Sequence, residues 1–127
     1  MIVDTSAVLA VLFREADAAL YARMIATASP CRLSAANLLE ASIVIGRRGA
    51  VTDGDLDLFI EDGVIELMPV TLEQVDFARR AWRRFGKGNH RAALNFGDCF
   101  AYALAQTTGE PLLFKGDDFA HTDVEAA

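Results

Sequence analysis

The first twelve residues, MIVDTSAVLAVL (1–12), decide the fold class of this chain. Met1 to Asp4 begin with three apolar residues and predict a short buried strand, and the apolar residues after them recur at helical spacing. Thr5 or Ser6 is expected to cap this helix, because a side-chain hydroxyl satisfies the free backbone N–H groups at a helix start. A buried strand that passes directly into a helix indicates the first unit of an α/β fold.

The remainder of the chain continues this alternation. Strands are predicted at residues 31–34, 64–70 and 111–115, and helices at about residues 15–28, 36–47, 71–85 and 95–107, with another helix beginning at Thr52. Strands that alternate with helices predict an α/β sandwich around a mainly parallel sheet. Because 127 residues suit one compact domain and no repeat or linker interrupts them, we expect a single domain over residues 1–127.

The composition excludes several classes of protein. Hydrophobic residues make up 53% of the chain and charged residues 24%, so a packed core is available and intrinsic disorder is excluded. Cys31 and Cys99 are too few for a disulfide framework or a four-thiolate zinc site. No apolar run approaches the roughly 18 residues of a membrane span, and the N-terminus lacks the basic start of a signal sequence. We therefore expect a soluble cytoplasmic protein without a membrane partner.

Four carboxylates lie in apolar surroundings where unpaired acids are costly. Asp4 follows the first strand, Asp117 follows the last strand, and Glu40 and Asp98 lie within apolar helical segments. Each has a simple structural interpretation as a helix cap, a first-turn acid or a solvent-facing side chain. Taken together, however, clustered carboxylates without an obvious cationic partner suit a hard divalent ion such as Mg²⁺ or Mn²⁺. Open α/β sheets place their sites at the carboxyl ends of strands, where Asp4 and Asp117 are expected.

The four acids also occur in sequence blocks of a recognisable order. The blocks are Val3-Asp4-Thr5-Ser6-Ala7, Glu40 in its helix, Asn95-Phe96-Gly97-Asp98-Cys99-Phe100-Ala101 and Leu112-Leu113-Phe114-Lys115-Gly116-Asp117-Asp118-Phe119. Over nearly the whole chain, their order and spacing resemble those of PIN-domain ribonucleases, and in particular the VapC toxins of bacterial toxin–antitoxin pairs. The resemblance implies a PIN-like three-layer sandwich, in which helices flank a mainly parallel central sheet.

The resemblance further implies a metal-dependent endoribonuclease. Asp4, Glu40, Asp98 and Asp117 would hold one or two Mg²⁺ ions, or Mn²⁺, which activate water for attack on an RNA phosphodiester. Ser6 would orient Asp4 or a metal-bound water, unless it only caps a helix.

Two protein partners are also implied by the resemblance. One is a cognate antitoxin of the VapB type, and the other is a second copy of the chain in a homodimer. Exposed apolar side chains of the early helices are expected to supply the antitoxin groove, with Leu12, Phe13, Leu39 and Ile43 as candidates.

The fourth block departs from the Thr-x-Asp-x-x-Phe pattern of many family members. Lys115 stands in place of the threonine, and Asp117 and Asp118 offer two acids. If residues 111–115 continue as a strand, alternation places Lys115 and Asp117 on one side, so we predict that Asp117 completes the site. Asp118 would then cap the short turn that carries Phe119, which is expected to be buried.

A basic segment precedes the third acid, although the net charge of −6 argues against a general nucleic-acid binder. Half of the twelve basic residues lie in this segment, and we predict that they bind RNA phosphates. They are Arg79, Arg80, Arg83, Arg84, Lys87 and Arg91. The alternative interpretation is a solvated helix face.

Two other function classes remain as alternatives. One is a receiver-like regulatory module that accepts a phosphoryl group on Asp4, which would require an acid pair that the sequence does not place near Asp4. The other is a PIN-like scaffold that only binds proteins, and the presence of all four acid blocks argues against it.

Overall fold

Four short strands and six α-helices make up the chain, and the computed structural model describes all residues, 1–127. The strands are β1 (Ile2–Val3), β2 (Cys31–Ser34), β3 (Ile65–Met68) and β4 (Leu112–Leu113). The helices are α1 (Thr5–Leu12), α2 (Ala18–Thr27), α3 (Ala35–Arg48), α4 (Asp53–Asp62), α5 (Leu72–Phe85) and α6 (Phe96–Thr108), followed by a 3₁₀ turn at Phe119–His121.

The strands form one sheet in the order β3-β2-β1-β4, and every neighbouring pair is parallel. Successive strands β1, β2 and β3 extend the sheet in one direction, whereas β4 returns to the other side of β1. The strand order therefore reverses between β1 and β4. In open α/β sheets the crevice outside the carboxyl ends of two such strands is the usual ligand site, and here Asp4 leaves β1 at that edge.

Successive residues of a strand point to opposite sides of the sheet, and helices cover both sides. Ile2 and Leu112 pack against α5 and α6, whereas Val3 and Leu113 pack toward α1, α3 and α4. Each face thus has its own apolar core, and the fold is the predicted α/β sandwich. Both cysteines are buried and unpaired, and none of the helices combines the length and hydrophobicity that a membrane crossing requires.

Several predicted boundaries shift where a turn interrupts the apolar pattern. The helix α2 begins at Ala18 rather than near residue 15, because the chain turns at Arg14, which has a φ of 53°. The last strand has two residues instead of five, and Gly116 has a φ of 101°. The cap of α1 is Asp4, so the prediction of Thr5 or Ser6 as its cap was wrong.

Candidate functional site

Asp4 lies at the carboxyl end of β1, and its side chain is almost completely buried, with 3% exposed. Its Oδ2 accepts hydrogen bonds from the Ser6 backbone N–H at 2.8 Å and from the Ser6 hydroxyl at 2.5 Å. Its Oδ1 is buried and has no hydrogen-bond partner. Burial raises the pKa of Asp4 to about 6, although the two bonds from Ser6 act in the opposite direction. One oxygen of Asp4 is therefore fixed in place, and the other is left available to a ligand.

Ser6 connects Asp4 to the segment that follows β4. The Ser6 hydroxyl donates to Asp4 and accepts a hydrogen bond from the Lys115 backbone N–H at 2.9 Å. Since Asp4 itself caps α1, the alternative role of Ser6 as a helix cap does not apply. The geometry matches the predicted orienting role of Ser6, whose contribution to catalysis stays a prediction.

Glu40 reaches the same edge of the sheet from α3, where two polar side chains hold its carboxylate. The Thr5 hydroxyl donates to Glu40 Oε2 at 2.6 Å, and Asn37 Nδ2 donates to the same oxygen at 3.1 Å. Asn37 is completely buried and also donates to the Gly97 carbonyl at 3.1 Å, so it joins α3 to the start of α6. Sequence reasoning missed Asn37, because a single asparagine in a helix carries no distinctive signal.

Gly97 lies in the first turn of α6 and faces the carboxylate of Glu40. A Cβ atom at this position would lie 2.0 Å from Glu40 Oε1 and 2.3 Å from Glu40 Cδ. Glycine therefore leaves the space that the carboxylate occupies. Glycine is an unfavourable residue in helices. Its presence in a predicted helix directly before Asp98 is the signal by which the sequence could have identified this position.

Asp98 is the third residue of α6, and 8% of it is exposed. Its Oδ2 accepts from the Asn95 N–H at 2.7 Å, and Asn95 Oδ1 accepts from the Asp98 N–H at 2.9 Å, so the two residues form a capping box. Burial, together with the charges of Asp4, Asp118 and Glu40, raises the pKa of Asp98 to about 7, although the hydrogen bond from the Asn95 N–H acts in the opposite direction. The structural interpretation of Asp98 as a first-turn acid is thus correct, and the same residue also belongs to an acidic cluster.

One edge of the sheet therefore carries a cluster of carboxylates with excess negative charge, formed by Asp4, Glu40 and Asp98. The charge of Glu40 contributes to the raised pKa of Asp4, and both charges act on Asp98. The nearby ammonium of Lys115 does not neutralise them, because it binds Glu15 at 2.5 Å and Asp17 at 2.7 Å.

The donor chemistry of this cluster fits a divalent cation. As the side chains stand, no three acidic, histidine or cysteine groups are arranged to hold one metal ion together. Mg²⁺, however, is commonly bound by one or two carboxylates and keeps several waters. The unpartnered Oδ1 of Asp4 and the crowded, uncompensated carboxylates are consistent with that mode.

The fourth acid was predicted to be Asp117 from the alternation of side chains along the last strand. The alternation argument for Asp117 does not hold, because β4 ends at Leu113 and Gly116 turns the chain. The charge of Asp118 contributes to the raised pKa of Asp98. Phe119 is buried as predicted, but the Asp118 side chain makes no capping hydrogen bond. This effect on the pKa of Asp98 favours Asp118 as the acid beside the cluster, and the catalytic role of either residue stays a prediction.

The residues of the predicted basic segment lie on two faces of α5 and in the loop that follows it. Arg79, Arg83 and Lys87 line a groove of about 610 Å³ between α5 and α6. On the other face, the Arg84 guanidinium binds Asp123 at 2.5 Å, and the Arg80 guanidinium lies 4.2 Å from the centre of the Phe77 ring. Arg91 is exposed in the loop before α6. Three of the six residues therefore line the groove, and the other three lie outside it.

The predicted antitoxin groove is also only partly assembled from the expected residues. Leu12 and Phe13 line a second groove of about 710 Å³ between α1 and α4, together with Leu58 of α4. Leu39 and Ile43 are exposed on α3 but do not line this groove.

Comparisons with known proteins agree with this architecture. The PIN domain family profile matches residues 1–125. Ribonuclease VapC28 of Mycobacterium tuberculosis is 51% identical, over 100% of this chain and 97% of its own length. Ribonuclease VapC of Mycolicibacterium smegmatis is 48% identical, over 99% of this chain and 98% of its own length.

Solved structures show the same fold at low sequence identity. The crystal structure of Mycobacterium tuberculosis VapC20, described as a sarcin-ricin loop cleaving toxin, is 18% identical with a TM-score of 0.77, over 99% of this chain and 97% of that one. A toxin–antitoxin complex from Klebsiella pneumoniae is 12% identical with a TM-score of 0.71, over 99% and 95% of the two chains. On the profile and the close relatives together, this chain belongs to the PIN-domain family and to its VapC ribonucleases.

Proposed function

We propose that the protein is a Mg²⁺-dependent endoribonuclease that acts as the toxin of a toxin–antitoxin pair, with Mn²⁺ as an alternative ion. The observation that carries the proposal is the acidic cluster at the carboxyl edge of the sheet, beside the reversal of strand order between β1 and β4, where Asp4 Oδ1 is buried without a partner. The names of the close relatives support RNA as the substrate.

In this proposal each acid has a distinct part in holding the metal. Asp4 offers its free Oδ1, and Asp98 and Glu40 complete the negative site, with Asp118 favoured over Asp117 as the fourth acid. Ser6 keeps Asp4 oriented through its two hydrogen bonds. A bound divalent ion would supply the activation of water and the stabilisation of the leaving oxygen in phosphodiester hydrolysis.

The basic residues on the groove side of α5 supply the contacts to RNA phosphates. Arg79, Arg83 and Lys87 face the same groove, whereas Arg84 is occupied by Asp123. We therefore expect the double substitution of Arg79 and Arg83 by Gln to weaken RNA binding and to reduce its salt dependence. The matched double substitution of Arg80 and Arg84 should have the smaller effect. Equal effects of the two pairs on affinity and salt slope would contradict this division.

The proposal includes two protein partners. An antitoxin of the VapB type would place an apolar segment in the groove between α1 and α4, where Leu12, Phe13 and Leu58 are grouped. A second copy of the chain would form a homodimer in the cytoplasm. The receiver-like alternative is not supported, because Asp4 is almost entirely buried and its Oδ2 is held by Ser6.

A cleavage assay with a matched control tests this function. The purified chain is incubated with structured RNAs in Mg²⁺, in Mn²⁺ and in EDTA, beside the variants Asp98→Asn and Asp55→Asn. Asp55 is the third residue of α4 and forms a capping box with Thr52, but it is exposed and lies outside the cluster. We expect metal-dependent cleavage by the natural protein and by Asp55→Asn, and none by Asp98→Asn. Cleavage that persists in EDTA, or in Asp98→Asn, would contradict the proposal.

A further inference from the structure

The groove between α5 and α6 combines exposed aromatic rings with free cations beside the acidic cluster. Trp82 is 44% exposed and Phe96 is 80% exposed, although aromatic rings of this size are usually covered in a folded domain. Phe96 also packs edge-on against Phe100, with ring centres 4.9 Å apart. All three rings line the same groove of about 610 Å³, which lies in the roughly 300–1,000 Å³ range of ligand sites.

The groove is directly joined to the acidic cluster. Asn95 lines the groove, and its backbone N–H donates to Asp98 Oδ2 at 2.7 Å. Phe96 is the next residue along the chain and Asp98 is two residues further, all within the first turn of α6. A ligand that occupies the groove therefore lies beside the place where we propose that the phosphodiester is cleaved.

The charges of the groove indicate what kind of ligand it accepts. The chain carries a net charge of −6, yet Arg79, Arg83 and Lys87 all line this groove. Arg83 and Lys87 form no ion pair, and Arg79 has only a distant partner, Asp76, at 3.9 Å. In a two-fold symmetric homodimer this surface would face itself, and no acid lines the groove to pair with its three cations. Complementarity is better with a polyanion whose bases are aromatic, which is the chemistry of single-stranded nucleic acid.

We propose that this groove binds unpaired bases of an RNA strand, which stack on Trp82 and Phe96 while Arg79, Arg83 and Lys87 hold the adjacent phosphates. The inference rests on the proposed function and deepens it, because it selects single-stranded RNA or a loop over a continuous duplex. Stacking on aromatic rings is tolerant of sequence, since every base has a flat face. The groove thus increases the affinity for RNA and positions the strand, but it does not select particular bases.

The single tryptophan of the chain gives a direct readout, because Trp82 is the only source of tryptophan fluorescence. The full-length protein is titrated in EDTA, where cleavage is prevented, with three RNA probes of equal length. They are a single-stranded oligoadenylate, its duplex with oligouridylate, and an abasic strand that retains only sugar and phosphate. We expect the oligoadenylate to quench Trp82 strongly, and the duplex and the abasic strand to quench it weakly.

A matched pair of variants separates stacking from general attraction. Phe96→Ala removes an exposed ring of the groove, whereas Leu72→Ala removes an apolar side chain that is 86% exposed at the start of α5, outside the groove. Both sites are exposed, so neither variant should prevent folding. We expect Phe96→Ala to lower the affinity for oligoadenylate about tenfold, because the loss of one stacking ring corresponds to a roughly 5- to 150-fold change. Leu72→Ala should bind as the natural protein does.

Other results would overturn the inference or the proposed function separately. Oligoadenylate that binds by fluorescence anisotropy, without quenching Trp82 and without sensitivity to Phe96→Ala, would place RNA elsewhere and leave the proposed function intact. A change from dimer to monomer in Phe96→Ala, measured by sedimentation, would assign the groove to a second copy of the chain. Quenching of Trp82 with no metal-dependent cleavage of any RNA would instead contradict the proposed function and leave the groove assignment standing.

Discussion

Replacement of Asp98 by Asn should make the metal-free protein more stable at pH 8, although it removes a group from the proposed active site. Burial and the charges of Asp4, Asp118 and Glu40 raise the pKa of Asp98 from 3.8 to about 7. The folded protein therefore holds this proton more tightly than the unfolded chain does. As a result, the free energy of unfolding falls while the pH rises from about 4 to about 7, and it stays low above pH 7.

The size of this effect follows from the difference between the two pKa values. A difference of about three pH units corresponds to a loss on the order of 4 kcal/mol at pH 8, at about 1.4 kcal/mol per unit. Asparagine remains neutral and still accepts from the Asn95 N–H, but this neutral hydrogen bond is weaker by about 1 kcal/mol. We therefore expect Asp98→Asn to gain about 2 to 3 kcal/mol at pH 8 in EDTA, and to gain little at pH 4.

Urea unfolding in EDTA at pH 4 and pH 8 measures the effect, with Asp55→Asn as the control. Asp55 occupies the same capping-box position in α4, but hydrogen bonds from Thr52 lower its pKa. Its substitution should therefore destabilise the protein at pH 8. Added Mg²⁺ should stabilise the natural protein and not Asp98→Asn, since a ligand that binds only the folded state stabilises it. An Asp98→Asn variant that is less stable than the natural protein at pH 8 in EDTA would refute the reasoning.

Three further substitutions test how the site is assembled. Gly97→Ala places a Cβ atom where the Glu40 carboxylate lies, so we expect cleavage to fall at least tenfold. The loss should match that of Glu40→Gln, and circular dichroism should show that the fold is retained. Asp118→Asn should reduce metal-dependent cleavage more than Asp117→Asn, and the reverse order would restore the alternation argument. Ser6→Ala removes a hydrogen bond that lowers the pKa of Asp4, so the acid limb of the pH–rate profile should move to higher pH. An unchanged acid limb would contradict the orienting role of Ser6.

Local signals in the sequence determined the elements of the fold. Cys31–Ser34 is a strand with the predicted bounds, since the buried Cys31 and Leu33 alternate with the polar Arg32 and Ser34, as the two-residue period of a strand requires. Gly49 and Gly109 end their helices as predicted, with φ of 71° and 67°, because glycine adopts the left-handed conformation without steric cost. The succession of such elements was sufficient to predict a parallel α/β sandwich.

The sequence also identified Asp4, Glu40 and Asp98 as unusual acids, because charged residues in apolar runs are costly without a partner. It did not indicate what holds them. The hydrogen bond from Asn37 to Glu40 stays within α3, but those from Asn37 to Gly97 and from Lys115 to Ser6 join residues 60 and 109 positions apart. Contacts at such separations depend on the packing of whole helices and strands.

A comparison of Asp55 with Asp98 shows most clearly what the sequence alone does not determine. In sequence and in local structure they are equivalent, each the third residue of a helix and each in a capping box with its N-cap residue. The local sequence thus determined that both residues are capping acids. Only the tertiary structure decided that the pKa of Asp55 is lowered and that of Asp98 is raised, since it left the first in solvent and buried the second beside other carboxylates. The free energy of a charge depends on all that surrounds it, and most of what surrounds Asp98 is distant in sequence.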